Sequence, residues 1–534
     1  MSIKISNIRL GLDEPEQSIA AHVARRLGVT GSDVLRWRIV RKSLDARQHQ
    51  QIHFVYTVEA ELAADENQVV ARRRDRAIEL YAEERFVVPP AGARRLEHRP
   101  VVVGSGPGGL FAAWLLAHHG YAPIVLERGK KVRERSRDVR EFEAGGELNP
   151  ESNYLFGEGG AGTFSDGKLT CRSGGPDVNE VLRIIAECKG RPEVLFEHRP
   201  HLGSNRLPAV VKAIRRRLIA AGAEFRFECR MEDLDVRDGR VTGVHTSSGR
   251  IPADVVMLAA GHSARDVYDM LARRGVAMSP KPFQLGVRIE QPQENVNRAR
   301  YGRIAASDRL GAADYELVAR SRAGGGRDLF TFCMCAGGFV IPSVSEPGHY
   351  CSNGMSYSWH DSPFANSGLV VTIDSREVGD GLMAGIRFQR RLEQVAFDIG
   401  RGSYKAPIQW AADFLAGRAT TDSPPSSHRR GTVPSNLREW LPPIVLESLD
   451  AGLPVLDRRW RGLFLRSATL VAPEARGSSP IRVERNATTF QSPSAAGLYP
   501  VGEGAGYAGG IVSAAMDGLR AAKAVIAEFA PIAG

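Results

Sequence analysis

Residues 100–129, PVVVGSGPGGLFAAWLLAHHGYAPIVLERG, constrain the fold more than any other stretch of this chain. A β-branched run, Val101 to Val103, meets Gly104-Ser105-Gly106-Pro107-Gly108-Gly109. An Ala/Leu-rich helical stretch follows to His119, and a second apolar run, Pro123 to Leu126, ends on Glu127-Arg128. Strand, glycine-rich turn, helix, strand and acid in this order make a dinucleotide-binding βαβ unit. Gly104 permits the tight turn, Gly106 lets backbone approach a pyrophosphate, and Gly109 lets the helix pack close to the strand. The helix N-terminus offers N–H groups and partial positive charge to the phosphates. Glu127 is placed to accept from an adenosine ribose and would repel a 2′-phosphate, which leaves NAD or FAD rather than NADP.

Among 56 glycines a bare GxGxxG means little, and Gly157-Glu158-Gly159-Gly160-Ala161-Gly162 also fits the pattern. No apolar strand precedes that run and no apolar helix follows it, so it is not a second fingerprint.

A chain of 534 residues implies two to four domains. The net charge of +10 reads first as a solvated surface, with Arg72-Arg73-Arg74 and Arg215-Arg216-Arg217 as its densest clusters. No window approaches a membrane span, and the first residues carry no apolar signal core. Six cysteines without CxxC, CxxxxC or a zinc-like Cys/His spacing predict free thiols, no metal site, and a reducing, cytoplasmic setting.

Strand-like alternation at 3–10, helical spacing at 16–27, and strand-like runs at 34–40 and 52–60 predict a small N-terminal α/β module. Lys42 to Arg47 reads as a charged connection or as a docking surface for a partner or nucleic acid. A linker is expected from Pro89 to Pro100. The polar, Gly-rich stretch from Arg140 to Gly175 is too long for a plain loop and is expected to be functional. A helix at 207–221, strands at 225–229, 234–237, 241–246 and 255–260, and a closing helix at 511–527 follow.

The C-terminal block Gly502-Glu503-Gly504-Ala505-Gly506-Tyr507-Ala508-Gly509-Gly510 resembles the second half of the flavin site in FAD proteins of the glutathione-reductase type. That resemblance implies a ribityl contact for Glu503 (in place of the usual Asp), close backbone approach at Gly509 and Gly510, and a helix starting at Ile511 aimed at flavin N1 and O2. The strand ending at Gly261 resembles the segment that returns the chain to the FAD domain. Together with residues 157–169, 282–290, Phe332-Cys333-Met334-Cys335 and Asn353-Gly354-Met355-Ser356, these blocks resemble a family of uncharacterised bacterial and plastid FAD-dependent dehydrogenases over nearly the whole chain. The implied fold is α/β: a small N-terminal module (1–98), a Rossmann-type FAD-binding domain in two parts (99–280 and 476–534), and an inserted mixed α+β substrate domain (281–475).

Flavin carries out the redox step, so candidate catalytic groups are polar residues near it. Lys168 reads as a partner for flavin N5 or a substrate carboxylate, or as a turn-stabilising partner of Asp166. Arg288 reads as an anion clamp, or as one half of a structural pair with Glu290 on the same strand face. His262 reads as a general acid or as a helix-start residue. Cys333 and Cys335 read as buried thiols before a redox pair, and Asn353, Tyr357 and His360 as pocket-lining groups. A second strand–GxGxxG–helix unit is absent between the FAD segments, so NAD(P)H is expected only as a transient reductant, with a small molecule as substrate. A second function class stays open: a structural or redox-sensing flavin with RNA or a protein partner on the N-terminal module. Oligomeric state is not readable.

Overall fold

The computed structural model describes residues 2–321 and 327–532. Its centre is a five-stranded parallel sheet in the order 498–500, 256–258, 101–103, 124–126, 224–226. These strands are three residues long, and all but the outermost, Glu224–Arg226, are buried throughout, which is why they read as apolar runs without alternation. Helices Pro107–His118 and Ile511–Glu528 cover one face. They touch backbone to backbone: a Cβ on Gly518 would lie 2.1 Å from the Gly108 carbonyl oxygen.

The N-terminal module runs strand Ser2–Gly11, helix Ile19–Leu27, strands Val34–Asp45 and His53–Leu62, helix Glu66–Arg73, strand Ile78–Tyr81. Its sheet is antiparallel, with the second strand on one edge and the fourth on the other, a split βαβ arrangement. The last helix and strand escape sequence reading because Glu66–Arg73 buries only Val69, and Ile78–Tyr81 only Ile78.

Two expectations need correction here. Lys42 to Asp45, expected as a connection, continue strand Val34–Asp45, and Lys42 docks within the chain: its N–H donates to the Phe196 carbonyl (2.7 Å), and His198 N–H donates to the Lys42 carbonyl (2.8 Å). The 89–100 linker is a strap. Gly92 N–H donates to the Ile526 carbonyl at 2.8 Å, and a Cβ there would strike Glu528 at 2.2 Å.

A seven-stranded sheet, built from strands between 283 and 474, forms the second large layer. Strands Met278–Pro280 and Ile481–Val483 pair antiparallel where the chain leaves and re-enters the parallel-sheet domain. A buried triad joins the layers: Glu393, on helix Ala384–Ile399, accepts from Arg265 (2.7 and 2.9 Å) and Arg476 (2.7 and 2.9 Å).

Candidate functional site

The fingerprint turn follows from its glycines. Gly104 has φ +101°, and a Cβ there would sit 2.4 Å from the Ala259 carbonyl oxygen. A Cβ on Gly109 would meet the Gly104 oxygen at 1.9 Å, which locks helix to turn. Gly106 caps the helix and Pro107 is its first residue, so no N–H is lost there. Gly108 faces Val501 and Ala514 of the closing segment. A Cβ on Gly106 would meet nothing closer than Gly160 at 3.8 Å, and on Gly509 or Gly510 nothing within 4 Å. Gly510 has φ +116°, and no side chain caps helix Ile511–Glu528. Two open helix N-termini therefore belong to one layer.

The Gly157–Gly162 loop fills the space between them. Gly159 N–H donates to the Ser105 carbonyl at 3.0 Å, and a Cβ on Gly162 would touch Ile511 (3.1 Å) and Pro107 (3.6 Å). Arg135 holds this loop. Fully buried on helix Val132–Glu143, its guanidinium donates to the carbonyls of Asn153, Tyr154, Gly157, Glu158 and Gly160 at 2.8–3.1 Å. Burial pulls the Arg135 pKa down to about 10, against the opposing pull of Glu127 and Glu158, so it stays charged at neutral pH. Sequence reading missed Arg135, because one arginine in an Arg-rich helix carries no sign that it points inward. Arg215, expected at the surface, points inward as well and pairs with buried Glu158 at 2.6 Å.

Glu127 is buried, but its carboxylate is already occupied. Oε2 accepts from Ser105 N–H (3.1 Å) and Oγ–H (2.5 Å), and Oε1 from Gly129 (2.9 Å) and Gly157 N–H (3.1 Å). The expected free acceptor for a ribose is thus committed to joining the turn, the strand end and the 157 loop. Arg128 is likewise engaged, with Glu151 (2.7 Å) and Asp266 (3.0 Å), and lies over the Phe156 ring.

At the C-terminal half, Gly502 N–H donates to Asp517 (2.7 Å), itself paired with Arg485, two residues sequence reading did not single out. Glu503 lies 3.5 Å from His262 Nδ1. Burial pushes the Glu503 carboxyl up to about 7, against a hydrogen bond from Gly510 N–H and the charge of Lys281. Burial, with the charges of Arg476 and Arg265, pushes His262 down to about 4. The His262 Nε2 atom is buried without a partner. Gly261 (φ +77°) has open space at its Cβ position and is closely approached by Gly504.

Lys168 and Arg288 come together with residues from three further segments. Lys168 Nζ donates to the Met334 carbonyl and stands 3.6 Å from Asp166. Asp166 accepts from Ser356 Oγ (2.6 Å), which is 3.0 Å from His201 Nε2. Burial opposes ionisation of Asp166, but Lys168, His201 and Ser356 outweigh it and hold the carboxyl below its usual range. The His201 ring packs against that of His360 at a tilt of 34°, centroids 4.2 Å apart. Cys333, at a strand irregularity with φ +42°, is exposed beside this group, while Cys335 is buried; all six cysteines are free.

Arg288 is not an anion clamp. It is fully buried, and its donors go to Glu474 (2.6 and 2.7 Å), Asn366 (2.8 Å), Asn353 (3.1 Å) and the Cys333 carbonyl (3.3 Å). None is left for a substrate. Its partner is Glu474; Glu290 instead accepts from Ser427. Tyr357 hydrogen-bonds Arg429 at 3.0 Å. His262 lies with Glu503 and not with Lys168. A cavity of about 600 Å³ lies behind helix Pro107–His118 and a cleft of about 1700 Å³ beside the N-terminal module, and neither touches a fingerprint glycine.

Comparison with known proteins adds the following. Residues 282–477 match the family described as "FAD-dependent protein, C-terminal domain-like", 201–326 "FAD dependent oxidoreductase", 102–158 "NAD(P)-binding Rossmann-like domain", and 2–61 a domain of unknown function. An uncharacterized protein of Clostridium beijerinckii is 40% identical over 532 residues, 99% of each chain. Thiamine thiazole synthase of Aeropyrum pernix is 25% identical over 203 residues, 35% of this chain and 63% of its own length. Glycine oxidase from Bacillus cereus superposes with a TM-score of 0.33 at 11% identity, covering 80% of this chain and 95% of that one.

Proposed function

We propose that this chain, which belongs to the family of the Clostridium beijerinckii protein and is an FAD-dependent oxidoreductase, passes hydride between FAD and a small metabolite held at the Lys168 cluster. The observation that carries this reading is the shared opening of two helix N-termini, at Gly106 and at Gly509-Gly510, bridged by one Arg135-pinned loop.

FAD supplies two-electron chemistry through N5 when bound. The chain's residues hold it and shape what reaches it. Ser105 to Gly109 would hold the pyrophosphate, where N–H groups and the helix dipole favour anionic oxygens. Glu127 would take a ribose hydroxyl in exchange for Ser105 Oγ–H. Glu503 would take a ribityl hydroxyl, and the start of helix Ile511–Glu528 would meet the flavin pyrimidine edge. His262 stays neutral at pH 7, so of the two it is Glu503 that takes up and releases a proton, near pH 7. Lys168, six residues beyond Gly162, lies within about 20 Å of the Ile511 contact even along a fully extended chain. Its ammonium, fixed by Asp166 and Met334, orients the substrate, and Arg288 positions the surrounding backbone. The free thiols fit a reducing compartment, which we take to be the cytoplasm; no helix among the described residues is long and apolar enough to cross a membrane.

The test is an anaerobic titration of the purified yellow protein with NADH and NADPH, followed at the flavin absorbance. Bleaching by either nucleotide makes the chain a reductase with NAD(P)H as a transient donor. If neither bleaches it, candidate metabolites are titrated in the same way. A flavin that dithionite reduces but no metabolite does would overturn the catalytic reading in favour of a structural flavin.

A further inference from the structure

The strand Val34–Asp45 is an edge, and most of its outer side is open. It pairs with His53–Leu62 on one side only. On the other, residues 196–198 bridge to Lys42 alone. Among the described residues nothing pairs with 34–41 there. An edge of this length presents unpaired N–H and C=O groups, the template for adding another strand. Register irregularities at Val34/Arg36 and Ile39/Arg41 bracket a regular stretch, Arg36 to Ile39.

That edge borders the 1700 Å³ cleft, whose far wall is helix Pro176–Glu187 and the 192–196 turn. Apolar side chains face in from both sides: Leu35 is 62% and Leu195 49% exposed, with Trp37, Ile39 and Phe86 beside them. The charge of the lining is the second observation. It contains seven carboxylates (Glu59, Glu61, Asp65, Glu66, Glu83, Glu84, Glu180) and three guanidiniums (Arg38, Arg85, Arg183). In a chain of net charge +10 this is an acidic cleft. The edge arginines do not reverse its sign: Arg38 pairs with Glu59 and Glu83, and Arg36 stands 4.0 Å from Glu61.

We infer that this cleft is a docking site for an extended basic peptide of a partner protein, added as a fifth strand along residues 34–41. Main-chain hydrogen bonds to the edge give affinity. Alternate apolar side chains enter between Trp37 and Leu195, and alternate cations meet the acidic wall. A seven-residue segment spans about 23 Å in extended form. A nucleic acid does not fit, because its phosphates would face the carboxylates. The inference stands apart from the flavin reading, and its test is independent of it.

The experiment is fluorescence anisotropy of the full-length flavin-loaded protein with a labelled eight-residue peptide of alternating Lys and Val. The comparison probes are the Glu/Val peptide, the Lys/Val peptide with a central Pro, and a single-stranded RNA. The expected result is saturable, salt-weakened binding of the Lys/Val peptide alone. Ile39→Pro, which removes a backbone donor from the edge, should abolish it. Should that variant fail to fold, the surface pair Glu61→Lys with Glu84→Lys, checked by unchanged flavin absorbance, should weaken binding by roughly tenfold. Binding that survives both variants, equal binding of the Glu/Val or Pro-interrupted peptide, binding of RNA only, no binding of the Lys/Val peptide, or a dimer that the peptide leaves intact would each overturn the inference.

Discussion

Ser105 and Glu127 face each other across 2.5 Å in a buried contact, and any ribose hydroxyl bound by Glu127 has to replace that serine hydrogen. Ser105→Ala therefore frees one acceptor position and leaves FAD retention equal or tighter. Glu127→Ala strips Ser105, Gly129 and Gly157 N–H of their acceptor. Each buried donor left alone costs about 1–3 kcal/mol, so that variant loses both stability and FAD. Equilibrium dialysis of flavin against the two variants decides the matter; equal loss in both would remove Glu127 from the ribose site. The pair at the other end is read by pH. The Glu503 carboxyl is raised from 4.5 to about 7, so between those values the folded state holds a proton that the unfolded state has released. Its contribution is full below pH 4.5 and is lost as pH rises through about 7. His262 is lowered from 6.5 to about 4, so it acts in the opposite sense, destabilising the fold as pH falls below 6.5. The two oppose each other up to pH 6.5, and above that Glu503 acts alone. His262 is common to the flavin-free wild type and Glu503→Gln, so the stability difference between them, from urea unfolding, should decline between about pH 4.5 and 7 and level off above that; a flat difference would mean an ordinary carboxyl.

Elements were legible in the sequence where one residue pattern determined them. The βαβ unit and the closing helix were readable because buried three-residue strands leave apolar runs and glycines mark forced contacts, and the 34–40 and 52–60 strands because β-branched and aromatic residues recur along them. Helix Val132–Glu143 was not, because its apolar stripe is sparse and lies beside polar, Gly-rich sequence; helix Pro176–Glu187 carries a full stripe, with Val181, Leu182, Ile184 and Ile185 buried, and its helical spacing was a signal that could have found it. The site divided the same way. Gly106, Gly109 and Gly510 were visible through what their missing side chains allow, whereas Arg135, Asp517 and the Arg288–Glu474 pair depend on which distant backbone arrives beside them. Arg135 carries the sharpest prediction at this scale. It serves five carbonyls of one loop, so Arg135→Met should destabilise the fold by about 3–5 kcal/mol and release flavin. Arg135→Lys, with three donors for five acceptors, should recover part of both. Denaturant midpoints and flavin retained after gel filtration check this. Full flavin retention in Arg135→Met would show that the loop holds its shape without the guanidinium.

The molecule works as one unit only if its two large layers keep their relation, since the glycine-marked opening belongs to one and most of the Lys168 cluster to the other. The chain crosses between them at a single two-stranded ribbon, and Glu393 with Arg265 and Arg476 welds them beside it. Burial opposes the charge on Glu393, yet the two arginines outweigh it and hold the carboxyl well below its usual range. Removing that one charge leaves two buried guanidiniums facing each other, with Glu346 near Arg265 and Arg390 as partial relief. Glu393→Gln should therefore cost about 3–5 kcal/mol. The loss should appear at the junction first, as an early unfolding transition and as new protease cuts near residues 278–281 and 477–481, before the parallel sheet gives way. Replacing the triad together, with Arg265→Met, Glu393→Leu and Arg476→Met, removes the charges as well as their pairing and should restore most of the stability. The sign with pH separates this weld from plain packing. A carboxyl lowered on folding stabilises above its ordinary value of 4.5 and loses that contribution as pH falls towards its folded value. The wild type should thus lose stability on acidification relative to the triple variant, and parallel curves for the two would mean that apolar contacts, rather than the ion triad, hold the layers together.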